Sequence, residues 1–528
     1  MDSQPEASKP SEVQAFGPVL ERIHARPELV FGLVGALGTD LDPIETELRS
    51  ALRTVGYDSS VTRLSSLISE LYTQAHPGEE PQEDSRMAEL MRQGDELRRI
   101  GGADAAVALG ITRLRNQRRG GRGNDEEREG LATILRSIKR KDEVATLRAV
   151  YGPRFVLIGG WATREDRAAN VEDRLRADHP GHDVGWYARE TATLMARDQE
   201  DETQPFGQGV RDSFELADVY VAIRPGQPIR QPITRLVRLL FGAPFETPTR
   251  SEYAMFQASG AGLRSSAAGR QVGTAIVDRE GEVLVTGTNE APKAGGGQYW
   301  AEETPDHRDF AYGYDVNDRL KLHIVADVLA RLHKAGWLTD EADVSDLDGL
   351  AQRAMNDPLR NSRIGDLLEF GRIAHAEMAA ICTAARRGTA LGDSIMYSTT
   401  YPCHECARLI IATGINKVVY VDPYPKSQVQ EMFRDEVSEG RSACPGTVVF
   451  EPFEGVAPRL FRQVFRMPPR PRDKATGRYA DWDGTKSRPR LLADSVIPPL
   501  VPMETHVVQQ FVTRLRAGGW IVPEASNT

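Results

Sequence analysis

Two short segments of the chain carry side chains that could together hold a metal ion and move a proton. Residues 375–377 read His-Ala-Glu, and residues 402–406 read Pro-Cys-His-Glu-Cys. His375, Cys403 and Cys406 supply one imidazole and two thiols, which suit tetrahedral zinc and leave the fourth position open for water, as catalytic zinc requires. The spacing therefore predicts a zinc centre that activates water near neutral pH.

Each segment is expected to open a helix, the first over about 376–386 and the second over about 404–412. Both cysteines then fall in a first helical turn, where free backbone N–H groups and the helix dipole favour the thiolate. Glu377 is not needed as a fourth ligand, so we expect it to shuttle a proton. An H-x-E triplet followed by P-C-x-x-C is the signature of zinc-dependent nucleobase deaminases, in which water replaces an amino group of the base.

The same residues have other interpretations. A C-x-x-C pair alone is also typical of a structural zinc site or a redox pair, but two such segments joined by one predicted strand favour catalytic zinc. His404 and Glu405 are expected to point away from the metal. Cys382 is predicted to be a packed core thiol, and Cys444, which lies in a loop before Pro445, is given no role.

Length, charge and hydropathy exclude several classes of protein. The chain has 528 residues with 66 basic and 76 acidic side chains, a formal charge of −10, which argues against a chain-wide nucleic-acid clamp. It lacks the ~18–20 consecutive apolar residues of a membrane span and the basic and apolar regions of a signal peptide, so a cytoplasmic location is expected. Four cysteines are too few for a disulfide scaffold.

The first half is predicted to be an α/β domain over residues 28–241, after a poorly ordered lead-in at 1–27. Its short apolar runs alternate with helical patterns, which indicates a parallel sheet covered on both faces. These runs lie at 29–35, 155–160 and 219–223. The arginine- and glycine-rich stretch 113–129 is interpreted as a solvated loop, and residues 242–249 as a linker.

The second domain is expected to cover residues 250–528, with a helical insertion at 300–371. Its patterns follow the order β-β-α-β-α-β-α-β, which implies a five-stranded mixed sheet with helices on its faces. The last of these helices is expected at about 427–437. The expected strands are 272–277, 283–288, 394–399, 417–421 and 447–451.

This half of the sequence resembles the cytidine and deoxycytidylate deaminase superfamily, and within it the nucleotide branch. Besides the zinc motifs, the resemblance is carried by Arg264-Ser265, Arg-Gln-Val-Gly at 270–273, Gly-Thr-Asn-Glu-Ala-Pro at 287–292 and Ala-Thr-Gly-Ile at 412–415. In that family the asparagine at the position of Asn289 contacts the deoxyribose, which implies the same role here. Deoxycytidylate deaminases are often hexameric, so the resemblance also implies a homo-oligomer.

The whole layout, a kinase-like first half joined to this domain, resembles the bacterial anti-phage dCTP deaminases. The segment 422–427, Asp-Pro-Tyr-Pro-Lys-Ser, is part of that resemblance. It implies conversion of dCTP, and often dCMP, to the uracil forms, which starves a phage of a DNA precursor. An inhibitory RNA and a phage-derived trigger are the candidate regulatory partners. Lys426 and Arg264 are candidate phosphate contacts, because a polyphosphate needs cations near the pocket mouth.

The first half resembles nucleoside monophosphate kinases, but its phosphate loop departs from G-x-x-x-x-G-K-[ST]. With Gly38 as the second glycine, Leu33 stands at the first. Thr39 replaces the lysine, and Asp40 replaces the hydroxyl residue that holds Mg²⁺. We therefore favour a regulatory domain that senses a nucleotide or a partner over a working kinase. A nucleotide, with any Mg²⁺ it carries, is expected at Gly35, Gly38, Thr39 and Asp40. Residues placed to reach such a nucleotide are Arg92, Arg98, Arg164, Arg167, Arg197 and Asp198.

Three other functions stay open at this point. A deaminase that acts on cytosine or adenine in single-stranded DNA or RNA would flip the base into the same pocket, although the acidic total charge counts against it. A nucleotide kinase with an accessory deaminase is disfavoured by the missing loop lysine. A non-enzymatic effector that senses phage would use zinc only to fold.

Overall fold

The structure is a computed structural model of the chain. It describes residues 26–122, 126–199, 209–339, 344–360, 362–367, 369–422, 427–440, 445–467, 472–479, 481–492 and 499–520. The chain divides into two compact units, one formed by residues 1–247 with 454–528 and the other by residues 248–453. Every helix in the described part of the chain is too short or too polar to span a membrane.

The strands and helices of both units are numbered along the chain. The strands are β1 (Leu29–Val34), β2 (Asp58–Arg63), β3 (Leu131–Ile138), β4 (Phe155–Trp161), β5 (Val219–Ala222), β6 (Gly273–Val277), β7 (Val283–Thr288), β8 (Ile395–Thr400), β9 (Lys417–Asp422), β10 (Val437–Glu439), β11 (Val448–Pro452) and β12 (Gly455–Val456). The helices are α1 (Asp42–Thr54), α2 (Leu64–Ala75), α3 (Arg86–Gly101), α4 (Ala105–Arg122), α5 (Lys141–Tyr151), α6 (Arg164–Asp178), α7 (Val184–Gln199), α8 (Val210–Phe214), α9 (Arg230–Leu240), α10 (Arg250–Gly262), α11 (Asp309–Tyr312), α12 (Val316–Lys334), α13 (Leu347–Asn356), α14 (Ala376–Arg387), α15 (His404–Thr413), α16 (Val429–Met432), α17 (Pro458–Phe465) and α18 (Leu500–Ala517).

The first unit is built on a six-stranded sheet with the order β12-β5-β4-β1-β3-β2. The five strands from β5 to β2 run parallel, and β12 pairs antiparallel with β5. All residues of the central strand β1 are buried, as expected where helices cover both faces of a sheet. The α/β class predicted for this half is confirmed, with more strands than its apolar runs indicated.

The sequence analysis missed β2, β3 and β12, because each lacks a clear hydrophobic pattern or adjoins a stretch that was interpreted as a loop. β2 is an edge strand in which Val61 is the single large apolar residue, and β12 has only two residues. Such strands are defined by their neighbours rather than by hydrophobic periodicity. β3 is mostly buried, but it follows directly on the stretch that was interpreted as a loop.

That interpretation of residues 113–129 is wrong for 113–122, because α4 continues through Arg122. Arg118 is 2% exposed, and its Nε lies 3.0 Å from Glu28 Oε2 while its Nη1 lies 2.5 Å from Glu504 Oε2. The hydroxyl of Tyr151 also donates to Glu504 Oε1, at 2.8 Å. Buried carboxylates that match the guanidinium fork keep this arginine inside the fold, although composition alone marks the segment as exposed.

The same ion pairs assign the carboxy-terminal residues to the first unit. Glu504 lies on α18, 386 positions from Arg118 in the chain, and Phe511 and Leu515 of α18 pack with Leu97 of α3 in one apolar cluster. The sequence suggested instead that residues 454–528 accompany the second domain. Contacts of such long range leave no local pattern from which the grouping could be read.

Removal of the cation from this cluster would leave two buried carboxylates uncompensated. We expect Arg118→Met to lower the free energy of unfolding by ~3–5 kcal/mol, the usual effect of breaking a buried ion pair, in urea titrations of the full chain. Lys141→Met is the matched control, because Lys141 Nζ lies 3.2 Å from Asp212 at the surface and such pairs contribute ~1 kcal/mol or less. Equal destabilisation by both variants would contradict the role given to Arg118.

The second unit holds a six-stranded mixed sheet with the order β10-β11-β9-β8-β6-β7, so the prediction of five strands is wrong. β6 pairs antiparallel with β7 and β8, and the strands from β8 to β10 run parallel. The additional strand is β10, and the helix expected over 427–437 is limited to α16. Three residues are too few to show a periodic pattern, so β10 is defined only by its pairing with β11.

Helices α14 and α15 pack on this sheet and complete the core of the second unit. Ala380 and Ile381 of α14 and Ile410 of α15 lie against Met396 of β8. Residues 300–371, the expected insertion, contain α11, α12 and α13. α12 and α13 share a small apolar cluster of their own.

Candidate metal centre and active site

The starts of two helices place the predicted zinc ligands. His375 is the N-cap residue of α14 and Cys403 is that of α15, both with extended backbone torsions. Cys406 lies in the first turn of α15. Because N–H groups at a helix start have no acceptor within the helix, they favour negative charge on nearby side chains. This placement suits cysteines that have to bind a metal as thiolates.

The three ligand atoms face one another closely enough to share an ion. His375 Nδ1 lies 3.3 Å from Cys403 Sγ and 3.4 Å from Cys406 Sγ, and all three atoms lie within 4.8 Å of one another. Ordinary Zn–S and Zn–N bonds at a tetrahedral angle would separate nitrogen and sulfur by ~3.6 Å. The spacing and the chemistry of the donor set therefore fit one zinc ion held by three protein ligands.

A close approach of α14 to β7 helps to fix His375. A side chain at Gly287 would collide with the backbone oxygen of Ala376 and with Ala380. Only glycine allows the helix to lie so near the strand. Cys406 is fully buried and Cys403 is 6% exposed, so the ligand side chains are held by the packing around them.

Glu377 lies beside the ligands and is 4% exposed. Its Oε2 lies 3.4 Å from Cys406 Sγ, and its Oε1 accepts a hydrogen bond of 2.8 Å from the hydroxyl of Ser398. Burial raises the pKa of this carboxyl group. A carboxyl whose pKa is raised towards neutrality can both take up and release a proton, as a shuttle has to do. Sequence analysis did not single out Ser398, since a serine within a strand carries no motif.

Hydrogen bonding also shifts the ionisation of the three ligands. The thiol of Cys406, followed by the imidazole of His375, lowers the pKa of Cys403 to about 4. The hydrogen bond to Cys403 in turn raises the pKa of His375 to about 9. Cys403 thus ionises more readily than an ordinary cysteine, whereas the hydrogen bond to Cys403 and burial raise the pKa of Cys406. Zinc binding requires both cysteines as thiolates and therefore releases protons.

The prediction that Cys382 is a packed core thiol is wrong, because this side chain is exposed. The buried face of α14 includes Glu377, Ile381 and Ala384. One helical residue turns the direction of the side chain by about 100°, which carries Cys382 away from that face.

Among the residues predicted to bind substrate, Asn289 makes hydrogen bonds to the protein backbone. The Asn289 side chain accepts from the Val272 amide at 2.7 Å and donates to the Arg270 carbonyl at 2.7 Å. Its amide thus ties the segment before β6 to the residue that follows β7. Lys426 lies outside the described residues.

Arg264 lines a cavity of about 690 Å³ in the second unit. Its guanidinium lies 3.8 Å from the centre of the Trp300 ring, and its Nε is buried without a hydrogen-bond partner among the described residues. Lys293, Arg386 and Arg387 also line the cavity. These cations favour an anionic occupant. The lining includes Ala374, which precedes the ligand His375, but neither the zinc ligands nor Glu377.

The loop after β1 contains the four residues predicted to bind a nucleotide. Gly35, Gly38 and Thr39 line a cavity of about 220 Å³, whereas Asp40 accepts from the Asp42 amide at the start of α1. Gly38 has a φ of 85°, which favours glycine. Thr39 Oγ1 is buried without a hydrogen-bond partner among the described residues.

A carboxylate of the chain itself already contacts this loop. The amide of Leu37 donates to Asp198 Oδ2 at 2.6 Å, and Lys139 Nζ donates to Asp198 Oδ1 at 2.5 Å. Asp198 is fully buried. A loop amide and a lysine are the groups that bind a phosphate in an intact phosphate loop, so Asp198 makes contacts that a phosphate would make.

Most of the arginines predicted to reach a nucleotide have protein partners. Arg98 lies 3.0 Å from Glu143, and Arg92 lies 2.6 Å from Glu89. Arg197 pairs with Asp95 and Glu83. Arg167 donates to the carbonyl of Leu37 at 3.5 Å, and Arg164 is exposed.

Comparison with known protein families finds a similarity within the second unit. Residues 248–422 match the family model described as the cytidine and deoxycytidylate deaminase zinc-binding region. The match covers part of the second unit and is a similarity to that zinc-binding region. The matched range contains the three ligands, Glu377 and the Asn289 segment, in agreement with the family resemblance of the sequence.

Individual relatives match a shorter part of the chain. Deoxycytidylate deaminase of Enterobacteria phage T2 is 44% identical over 54 residues, which are 10% of this chain and 29% of that protein. ComE operon protein 2 of Bacillus subtilis is 38% identical over 63 residues, 12% of this chain and 33% of that protein. The chain thus spans about a third or less of these curated relatives. Among solved structures, dCMP deaminase from cyanophage S-TIM5 with dCMP and dUMP is similar at 17% identity and a TM-score of 0.22, over 39% of this chain and 98% of that one.

The ligand assignment predicts the metal content of cysteine variants. We expect Cys406→Ser to lose most bound zinc, because a neutral hydroxyl is a poor substitute for a thiolate. Cys382→Ser is the control, since this exposed cysteine on α14 is not part of the ligand group. Zinc per chain, measured by atomic emission after desalting, should therefore fall only in the first variant. Full zinc in Cys406→Ser would remove this residue from the site.

Proposed function

We propose that the second unit catalyses hydrolytic deamination of deoxycytidine nucleotides, dCTP and also dCMP, to the deoxyuridine nucleotides. The main support is a buried carboxylate within 3.4 Å of one of three converging zinc ligands, inside a zinc-binding region of the deaminase family. In a cell this reaction would deplete dCTP, which suits a role in antiviral defence. The resemblance to anti-phage deaminases motivates that part of the proposal.

His375, Cys403 and Cys406 would hold the zinc ion. When bound, zinc acts as a Lewis acid that brings the ionisation of water towards neutral pH. Glu377 would take a proton from water and deliver it to the ring nitrogen next to the reacting carbon. It would then take the remaining proton of the added hydroxyl and deliver it to the leaving amino group, which departs as ammonia. The overall change consumes one water and releases one ammonia, so no oxidant or cosubstrate is needed.

Groups beyond the metal would select the nucleotide. Arg264 is proposed as a phosphate contact, because it lies in a cavity with three other cations and phosphates are bound by such clusters. Asn289 is proposed to orient the deoxyribose, since hydrogen bonds to the backbone at Val272 and Arg270 hold its amide in place. Lys426 stays a proposed phosphate contact from the sequence alone. We also propose a homo-oligomer, by analogy with deoxycytidylate deaminases.

The substrate is tested by incubating the zinc-loaded chain with dCTP, dCMP, deoxycytidine, adenosine nucleotides and single-stranded oligonucleotides, with products followed by chromatography. We expect ammonia and deoxyuridine nucleotides from dCTP and dCMP. In Glu377→Gln, turnover should fall by ~10²–10⁴-fold, the usual contribution of a positioned acid–base group, with zinc retained. Glu280→Gln is the control, since Glu280 is exposed in the turn between β6 and β7.

Other outcomes would replace the proposal. Deamination confined to oligonucleotides would favour an enzyme that acts on bases in DNA or RNA. A zinc-loaded chain that releases no ammonia from any of these substrates would favour an effector that uses zinc only to fold. Normal turnover of dCTP by a folded Glu377→Gln chain would remove the shuttle role from Glu377.

For the first unit we propose a regulatory nucleotide-responsive domain rather than a kinase. The observation that favours this is the Asp198 carboxylate, which contacts the Leu37 amide and Lys139 where a phosphate would bind. The loop also has threonine in place of the lysine that bridges transferred phosphates. An inhibitory RNA or a phage-derived trigger could act through this unit, with Mg²⁺ accompanying a bound nucleotide.

This proposal predicts that the chain does not transfer phosphate from ATP. With ATP, Mg²⁺ and each deoxynucleoside monophosphate, we expect no ADP above a protein-free blank by coupled assay or chromatography. Asp198→Asn weakens the internal competitor, so its nucleotide affinity by calorimetry should rise, still without ADP. ADP formation that depends on a monophosphate acceptor would revive the kinase.

A further inference from the structure

A buried hydroxyl on the sheet lies behind the Glu377 carboxylate. Ser398 is in β8 and is fully buried, and its Oγ donates to Glu377 Oε1 at 2.8 Å. The other carboxylate oxygen, Oε2, lies 3.4 Å from Cys406 Sγ. The two oxygens of one carboxylate are therefore in different surroundings, one against the sheet and one beside a zinc ligand.

A second hydroxyl supports the first. Thr274 of β6 is the register partner of Ser398 in the antiparallel β6–β8 pair. Its Oγ1 donates to Ser398 Oγ at 3.2 Å, and it is also fully buried. Since a serine hydroxyl has one proton, a bond received from Thr274 leaves that proton directed towards Glu377.

The neighbouring positions show that these hydroxyls are not required by the core as such. Ile276 and Met396, which are the next register partners on the same face of the two strands, are fully buried and apolar. Valine would fill nearly the same volume as Thr274. A hydroxyl in such a place is unfavourable unless it makes a hydrogen bond, and in this unit the chain of bonds ends on the buried carboxylate.

We infer that Ser398, oriented by Thr274, is a positioning residue that anchors Glu377 Oε1, so that Oε2 is the oxygen that carries the proton. The anchor stops the carboxylate from rotating about its last side-chain bond and keeps the same oxygen on the zinc-ligand side. No bond is made or broken at Ser398 itself. This inference rests on the proposed deaminase function, since it assigns the oxygen of Glu377 that transfers the proton.

The kinetic test uses the zinc-loaded full chain with dCTP. Loss of the anchor in Ser398→Ala should lower kcat by ~10–100-fold, the range expected for a misplaced proton-transfer group, with KM little changed. Ser398→Thr keeps the hydroxyl and should recover most of the activity. Thr274→Val should reduce kcat by a smaller factor than Ser398→Ala, because it acts through the serine. Zinc content and melting temperature are measured for each variant.

A structural test is independent of turnover. In a crystal structure of Ser398→Ala, the Glu377 carboxylate should occupy more than one rotamer or turn away from Oε1's present position, while the zinc ligands stay in place. An unchanged carboxylate together with wild-type kcat would overturn the inference. If the wild-type chain deaminates no nucleotide but the carboxylate still moves in Ser398→Ala, the proposed function fails while the positioning role stands. Equal loss of kcat in Ser398→Ala and Ser398→Thr would reduce Ser398 to a packing residue.

Discussion

Two helix starts have to converge for one imidazole and two thiols to share an ion, and the sheet of the second unit enforces that convergence. β8 leads through a short connection to Cys403 at the start of α15. α14 reaches the same region because Gly287 lets it lie directly on β7. Neither helix could be moved by one turn without carrying its ligands about 5 Å away. The site is therefore a property of the sheet and its two covering helices, more than of any one loop.

The ionisable groups at the two helix starts favour the binding of a cation between them. Ionising both cysteines would place two thiolates beside a carboxylate that lies 3.4 Å from one of the sulfurs, where water is nearly excluded, and the pKa of Cys406 is raised by its hydrogen bond to Cys403 and by burial. Like charges in such surroundings repel strongly, and each is penalised for leaving water. A divalent ion offsets this repulsion and selects the ionised thiols. The same burial raises the pKa of Glu377, so the charge balance that holds a metal also prepares the carboxyl group to exchange a proton.

The sequence predicted the parts of the site that are local. His375, Cys403 and Cys406 lie in two short segments, and the helices that follow them have clear starts. The convergence of these side chains and the helices that position them could therefore be read directly, and their role as zinc ligands stays a prediction. The features that the sequence did not predict depend on contacts between residues that are far apart in the chain. Ser398 meets Glu377 only because a strand passes beneath a helix, and Arg118 is buried only because Glu504 reaches it from the far end of the chain.

Two of the errors have the same origin. The arginine-rich part of α4 has the composition of a solvated loop, and only its carboxylate partners reveal that it is inside the fold. β10 has three residues and exists through its pairing with β11. The prediction for Cys382 was wrong for a different reason. A helix that is buried on one side exposes positions on its other side, and Cys382 lies beyond the edge of the face that includes Ile381.

In the first unit, the loop after β1 also makes contacts with residues from distant segments of the chain. An intact phosphate loop combines free amides with a lysine that follows the second glycine. Here Thr39 follows Gly38, and the nearby lysine, Lys139, comes from a different segment and pairs with the buried Asp198. A phosphate that entered would gain the Leu37 amide and Lys139 only by displacing a carboxylate that already satisfies both. Under the proposed regulatory role, binding would then be set by the difference between two anions, and phosphoryl transfer would gain no advantage.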